Sequence, residues 1–255
     1  MTHYGSLPVP EAVIAADRPF LSIVIPAFNE ASRLPASLEQ VTCYLAAQAY
    51  TSEILVVDDG SADNTAGVAE ALTARFPALR VLRQLHRGKG GTVKAGMLAA
   101  QGEHIMFADA DFSMPVGDLA KFLPVLRAGY DVAIASREGP GARRFNEPEY
   151  RHLMGRVYNL IVQVFAIRGL RDTQCGFKCF RRAVAQQVFS LQTMDGWGFD
   201  VEVLFIARKR GFRISEVPID WYYGASSKVS PIRDTIRMFQ EVFQVRWNDL
   251  RGRYR

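Results

Sequence analysis

Carboxylates stand in this sequence wherever certain short apolar runs give out. Leu21–Ile25 runs into Pro26-Ala27-Phe28-Asn29-Glu30, Glu53–Val57 into Asp58-Asp59-Gly60-Ser61, and His104–Phe107 into Asp109-Ala110-Asp111. A carboxylate at a strand exit can accept from a ribose hydroxyl or a base N–H, and two carboxylates one residue apart can bind a hard divalent cation through oxygen. Magnesium or manganese held there would bridge the diphosphate of a nucleotide and stabilise it as a leaving group. Between these exits lies Arg87-Gly88-Lys89-Gly90-Gly91, a flexible basic loop able to approach phosphates and to open a helix whose N-terminal amides favour anions. It is not a Walker loop, because the spacing and the Lys-Ser/Thr pair are wrong. Each piece alone has a plainer reading. A lone Asp-x-Asp is usually a solvated turn, Asp58–Ser61 is a turn before a helix capped by Ser61 or Asp63, and Arg87 and Lys89 are surface charges. Their order at successive strand ends is what joins them into one site.

The elements that must position them alternate. β-Branched runs at Leu21–Ile25, Glu53–Val57, Arg80–Leu82, His104–Phe107 and Asp131–Ala135 are separated by helical patterns at Ala36–Ala47, Asp63–Arg75, Thr92–Ala100 and Val116–Ala128. This spells an α/β fold, a mainly parallel sheet flanked by helices, in which ligands sit at the carboxyl ends of the strands. After Arg137 the rhythm gives way to a Gly/Pro/Arg-rich loop (Glu138–Glu149), a long helix to about Arg168, a strand near Gly176–Phe180, two helices and a last strand at Arg213–Val217. With no repeat or flexible linker, a single domain is expected: an arm over 1–19, a first half over 20–137, a second half over 138–230, and an amphipathic basic helix over 231–255.

The chain has 255 residues, 49% of them hydrophobic and 22% charged, and a formal charge of +5, the balance of a globular protein drawn to phosphates. Its arginines crowd the second half, without aromatic-rich RNA motifs or zinc spacings, so no nucleic-acid partner is expected. Three cysteines, Cys43, Cys175 and Cys179, argue against a disulfide framework and for a reducing, cytoplasmic setting. No apolar run is long enough to cross a bilayer.

In this order, Pro-x-x-Asn-Glu, Val-Val-Asp-Asp-Gly-Ser, Gly-Lys-Gly and Ala-Asp-Ala-Asp resemble the inverting family 2 glycosyltransferases of GT-A fold, over roughly residues 20 to 250. Ser136-Arg137, the segments Asp172–Lys178 and Gly196–Glu202, and Gly224–Lys228 look most like the dolichyl-phosphate β-glucosyltransferases. The resemblance implies a metal-dependent (Mg2+ or Mn2+) transfer of glucose from UDP-glucose to a polyprenyl phosphate. Another nucleotide sugar such as GDP-mannose, a soluble hydroxyl acceptor, or a nucleotide-sugar-binding protein without turnover are the rivals. It implies donor contacts from Pro26, Phe28, Asn29, Glu30, Asp58, Asp59, Lys89, Asp109, Ala110 and Asp111, with Asp109 and Asp111 on the metal. Arg137, Arg143, Arg144, Gln174, Lys178 and Lys228 would meet the acceptor. Mannosyl relatives often place a glutamine where this chain has Ser113, so the rest of the coordination sphere is left to a hydroxyl or water.

A lipid monophosphate is already anionic, so its oxygen can attack without a strong general base. Asp111 and Arg137 then carry the catalysis by charge and positioning. A neutral hydroxyl acceptor would need a carboxylate base, for which Asp200, Glu202 or Asp195 are candidates. Asp200 and Glu202 are equally readable as sugar-hydroxyl acceptors or as acids at a helix N-terminus. At the end of the chain, Ile232, Ile236, Phe239, Phe243 and Trp247 recur on one helical face with arginines beside them. That pattern suits a helix lying on a membrane surface or against a small membrane partner, peripheral on the cytoplasmic face, and equally a helix packed on its own domain. The helix Met154–Ile167 is expected in the core rather than along an acceptor groove, and His86 stands out only for its place beside the basic loop.

Overall fold

Seven of the extended runs make one sheet in the computed structural model, which describes residues 18–224 and 233–255. In chain order the strands are β1 (Leu21–Ala27), β2 (Ser52–Asp58), β3 (Leu79–Arg83), β4 (His104–Ala108), β5 (Val132–Ser136), β6 (Arg143–Phe145), β7 (Phe177–Arg181), β8 (Ile214–Pro218) and β9 (Asp220–Tyr222). The sheet runs β3-β2-β1-β4-β7-β5-β8, while β6 and β9 pair in a small parallel ribbon. Within the sheet only β7 is antiparallel, to β4 on one side and β5 on the other. The helices are α1 (Leu34–Ala46), α2 (Thr65–Thr73), α3 (Lys89–Ala99), α4 (Phe122–Arg127), α5 (Glu149–Phe165), α6 (Arg182–Leu191), α7 (Phe199–Lys209) and α8 (Arg233–Leu250).

Strand alternation feeds two core layers. Ile23, Ile25, Ile54 and Val56 pack with Leu34 and Leu38 of α1, whereas Val24, Leu55 and Val57 pack with Val93 and Met97 of α3. Both faces are covered, as β5 makes plain by burying all of Val132–Ser136. The α/β reading and its mainly parallel sheet therefore hold. The exits of β1, β2 and β4 that carry the carboxylates are also neighbours in the sheet.

Four expectations change. The helix expected over Val116–Ala128 is a 3-10 turn (Val116–Lys121) followed by α4, because Pro124 lacks the N–H that a continuous helix would need there. The expected loop 138–149 contains β6, which finds its partner strand only far along the chain. The expected core helix is α5, which buries only Tyr158 and Val162; Leu153, Val157, Leu160 and Val164 are exposed. α5 is anchored on α8 through the ring pairs Tyr158–Phe239 and Phe165–Phe243. The final helix splits the face expected for it. Val242 and Val245 are buried and Phe239 packs on the core, but Phe243 and Trp247 face outward. Ile232, the Ile236 side chain and nearly all of the expected N-terminal arm lie outside the described residues.

α3 approaches the sheet most closely at Gly96, where an added Cβ would fall 2.3 Å from Val24 Cγ1 and 2.8 Å from Val57 Cγ2. Both valines are held by the sheet, so the helix would have to lift. Gly96→Ala is expected to lower stability by roughly 1–3 kcal/mol, the usual cost of overpacking, in a denaturant titration followed by circular dichroism. An unchanged midpoint would mean that α3 can shift without loss.

Candidate active site

The strand ends open into a cleft of about 1350 Å³. One end is built by the turn after β1 and the basic loop before α3. Asn29, at φ 54°, ties the first of these to the next exit: its backbone N–H donates to Ser61 Oγ at 2.9 Å and its Oδ1 accepts from the Ala62 N–H at 2.8 Å. Glu30 holds Arg33 with two bonds of 2.7 Å, and both line the cleft. Pro26 and Phe28 also line it, with the Phe28 ring stacked on His86 at 4.5 Å between centroids.

Asp59 organises the basic loop. Its carboxylate accepts from Gln84 Nε2 at 2.8 Å and from the backbone N–H groups of Arg87 and Gly88, both at 2.9 Å, with His86 Nδ1 2.8 Å away. Gly88, at φ 105°, packs where a Cβ would sit 2.7 Å from the Asp195 carbonyl. The loop so held delivers Lys89 into the cleft, 2.6 Å from Asp109 and 5.1 Å from the Trp197 ring centroid. Burial works against the Lys89 charge, but Asp109 and Asp200 outweigh it and hold the ammonium more firmly than usual.

Asp109, Ala110 and Asp111 line the floor. Burial, and then the neighbouring Asp109, push the Asp111 carboxyl above its ordinary range. Two crowded, partly desolvated carboxylates of this kind suit a divalent cation, which would relieve the strain on both. Among the described residues no third Asp, Glu, His or Cys joins them. The pair could thus hold magnesium or manganese with its remaining ligands drawn from water and a bound diphosphate, as is usual for magnesium at phosphates.

At the other end Arg137 is locked to Asp172, whose carboxylate accepts from Arg137 Nε at 2.7 Å, Nη2 at 2.9 Å and the Arg137 backbone N–H at 2.9 Å. Burial would raise the Asp172 carboxyl, but the guanidinium beside it prevails and keeps it well below the usual carboxylate range. Arg144 also faces the cleft, between Glu138 at 2.9 Å and Glu147 at 2.5 Å, and Gln174 lies nearby. Trp221 lies under both guanidinium groups, with centroid distances of 5.2 and 5.8 Å.

Not every expected residue arrives. Arg143 is one strand position from Arg144 and so points to the other face of β6, where it is exposed and paired with Asp220. Lys178 is fully buried; it donates to Asp200 at 2.5 Å and to the Cys175 carbonyl at 2.7 Å, so it acts on Asp200 and does not face an acceptor. Asp200 itself lines the cleft, and burial pushes its carboxyl up against the pull of Lys178. Glu202 lies two residues on, roughly the opposite side of α7. It is buried away from the cleft, accepting from the Thr193 and Met194 backbone N–H groups and from the Tyr254 hydroxyl at 2.7 Å. Asp58 is buried beside the cleft with Oδ1 unpartnered, and Asn29 shapes the rim without lining the cleft. Lys228 falls outside the described residues. Cys175 and Cys179 are buried, and burial pushes both thiols up to about 12, so neither is a thiolate at neutral pH.

Several cleft residues were not singled out from sequence: Arg33, Trp197, Asp172, Arg171 and the Asn159 side of α5. Asp172 and Trp197 sit inside the family-like segments, which was the available signal. Arg33 and Asn159 carried none.

The chain matches the glycosyl transferase family 2 model over residues 22–189. It belongs to glycosyl transferase family 2. The chain is accordingly a glycosyltransferase. It is 34% identical to the dolichyl-phosphate beta-glucosyltransferase of Drosophila melanogaster, over 92% of this chain and 77% of that protein. It is also 34% identical to the human protein of the same name, with the same coverage. Among solved structures, glucosyl-3-phosphoglycerate synthase of Mycobacterium tuberculosis, in complex with Mn2+, UDP and phosphoglyceric acid, superposes with TM-score 0.67 at 18% identity, covering 94% of this chain and 79% of that one. Mannosyl-3-phosphoglycerate synthase of Rubrobacter xylanophilus gives 0.68 at 19% identity, covering 92% and 76%. At these identities the structural likeness speaks for the GT-A fold alone.

The floor of the glycosyltransferase cleft depends on Gly176, whose backbone carbonyl accepts from the Asp109 N–H at 3.2 Å and where a Cβ would lie 1.9 Å from Asp109 Oδ2. Gly176→Ala should displace that carboxylate and leave the fold intact. The expected result is about tenfold or greater loss of metal-supported turnover, in line with losses from misplaced catalytic groups, with an unchanged melting temperature. Turnover at the normal rate would remove Asp109 from the working site.

Proposed function

We propose that this enzyme transfers glucose from UDP-glucose to a polyprenyl phosphate of the dolichyl type, giving the β-linked lipid-phosphate sugar. The observation that carries the reading is the composition of the one continuous cleft. Carboxylates and a lysine suited to a metal diphosphate (Asp109, Asp111, Lys89) occupy one end, arginines suited to a phosphate (Arg137, Arg144) the other, and exposed apolar residues of α5 form the rim. The names of the relatives at 34% identity support the same donor sugar and acceptor class. In this reading residues 20–137 supply the donor site and 138–230 the acceptor site.

Pro26, Phe28 and His86 would bound the nucleobase, with Asp59 fixing His86 from behind. Magnesium or manganese held by Asp109 and Asp111 would offset the charge that builds on the departing diphosphate. Lys89 is poised to leave Asp109 for that diphosphate, and the amides at the start of α3 favour the same anion. Arg137, held in one orientation by Asp172, and Arg144 would hold the acceptor phosphate in line behind the sugar. The phosphate oxygen then forms its bond to the anomeric carbon as the bond to UDP breaks, the electron pair stays on the diphosphate, and an α-linked donor gives a β-linked product. No proton has to be removed. Asp200, fixed by Lys178, is therefore placed as an acceptor for a sugar hydroxyl rather than as a base. Because a polyprenyl phosphate is a membrane lipid, the enzyme would in this reading work peripherally at a membrane, on its cytoplasmic face. Among the described residues no helix is long and apolar enough to cross one.

The decisive assay gives the purified protein magnesium or manganese, a short polyprenyl phosphate, and radiolabelled UDP-glucose or GDP-mannose in parallel, and counts label in the organic phase. Label from UDP-glucose alone is the expected outcome. Label from GDP-mannose would change the donor, and donor binding without organic-phase label would move the acceptor to a soluble molecule. In the same assay Asp111→Ala should abolish metal-supported transfer. Arg137→Ala should raise the KM for lipid phosphate at least about tenfold, the scale of one charge-assisted contact, with little change in UDP-glucose affinity. A normal Asp111→Ala enzyme would refute the metal assignment.

A further inference from the structure

α5 has three faces, and the fold uses two of them. Tyr158 and Val162 pack inward, and Asn159 and Gln163 line the cleft. The third face is apolar and uncovered: Leu153 is 66% exposed, Leu160 61% and Val164 60%, with Tyr150 and Val157 in the same line. The spacing from 150 to 164 is three, four, three and four, so these side chains form one stripe. The stripe does not stop with the helix. Phe165 meets Phe243 of α8 at 5.0 Å, and from there Phe243, Trp247 and Leu250 carry an exposed apolar surface along α8.

Cations frame this surface. Arg156 is exposed on α5 with Glu138 of the cleft 3.7 Å away, and the Arg251 guanidinium lies 4.5 Å from the Trp247 ring centroid. Where the end of α5 meets α7 and α8 there is a separate groove of about 320 Å³, lined by Arg168, Arg208, Lys209 and Arg246 against a single carboxylate, Asp249. Lys209 already bonds Asp249, while Arg246 stands 3.9 Å from it. The groove thus presents a surplus of positive charge one helical turn from Phe243. Apolar residues with tryptophan among them, edged by arginine, match the boundary between headgroups and acyl chains.

We propose that the α5–α8 face seats this enzyme on an anionic lipid bilayer, with the Arg168/Arg208/Lys209/Arg246 groove taking an acidic phospholipid headgroup. A second copy of the chain fits less well, because a two-fold contact would bring each arginine frame against its like. Met154, Val157 and Leu160 belong both to the exposed surface and to the cleft. Docking there sets the cleft mouth against the bilayer, where a prenyl chain can remain while its phosphate reaches Arg137. In this respect the proposal rests on the lipid-acceptor reading above. The surface itself is testable without turnover.

The test floats the full-length protein with vesicles of phosphatidylcholine, alone or mixed with phosphatidylglycerol. The wild type should bind the mixed vesicles, more weakly as salt rises, and Trp247 emission should move to shorter wavelength, a change that Trp247→Phe removes. Leu153→Glu/Val164→Glu should bind at least about tenfold more weakly, as expected when charge is placed on an interfacial face, and UDP binding by calorimetry reports whether that variant is folded. Arg168→Glu/Arg246→Glu, which leaves the apolar stripe untouched, should lose the preference for phosphatidylglycerol. Absence of vesicle binding by the wild type, equal binding to both vesicle types, or a dimer that Leu153→Glu/Val164→Glu dissociates would each overturn the proposal. Vesicle binding without lipid-phosphate transfer would instead sink the proposed reaction and leave the surface standing; transfer to a short acceptor without vesicle binding would do the reverse.

Discussion

The cleft depends on one constraint: the run from Asp172 to Lys178 enters the sheet antiparallel, between two strands that run the other way. Because β7 lies between β4 and β5, Gly176 comes against Asp109 at one edge, and Asp172 comes against Arg137 at the other. A parallel insertion would leave the start of this run at the opposite edge of the sheet. Lys178, within the strand, crosses underneath to Asp200 on α7. A single short segment therefore sets the Asp109 carboxylate, the Arg137 guanidinium and the Asp200 carboxylate relative to one another. The backbone ladder places the segment, and the side chains of Asp172 and Lys178 carry that placement to Arg137 and Asp200.

Charge compensation follows from that arrangement. Every cation the cleft offers a substrate through Lys89, Arg137 or Arg144 already has a carboxylate at hydrogen-bond distance. Asp172 is buried, and breaking a buried pair by removing one partner costs about 3–5 kcal/mol, so Arg137 is held where it is before a ligand arrives. An anion that took Lys89 from Asp109 would leave that carboxylate to another cation. Lys89 is the pair that can exchange most easily, since its loop is set by Asp59 and not by Asp109. Arg137 is the least able to, with three bonds to Asp172. The two ends of the cleft thus differ in mechanical character.

Those roles were only partly legible in the sequence. The strands, their alternation with helices and the acidic exits at β1, β2 and β4 could be read because each is a local pattern of a few residues. Where two neighbouring charges had to be told apart, the local pattern failed. Arg143 and Arg144, or Asp200 and Glu202, look alike in sequence and are separated only by the pleat of β6 and the turn of α7. Lys178 looked like a phosphate ligand because nothing in the chain announces that β7 is interior. α5 was misjudged for a different reason: an apolar helix reads as core unless one knows how little of it is covered. Its partners, Phe239 and Phe243, lie some eighty residues away.

α5 also shows why the site and the outer surface cannot be treated separately. Only two of its side chains are buried, so little of its stability comes from the core. Its first turns nevertheless hold the acceptor end in place, for His152 bonds Glu138 at 2.9 Å, and Glu138 in turn holds Arg144. A partner covering the outer face of α5 would stabilise the helix through apolar burial. It would thereby also stabilise the carboxylate network that aims Arg144 into the cleft. The other end, built on the buried strands β1, β2 and β4, does not depend on such a cover. The two ends of the cleft therefore rest on parts of the fold with unequal burial, and the less buried part faces outward.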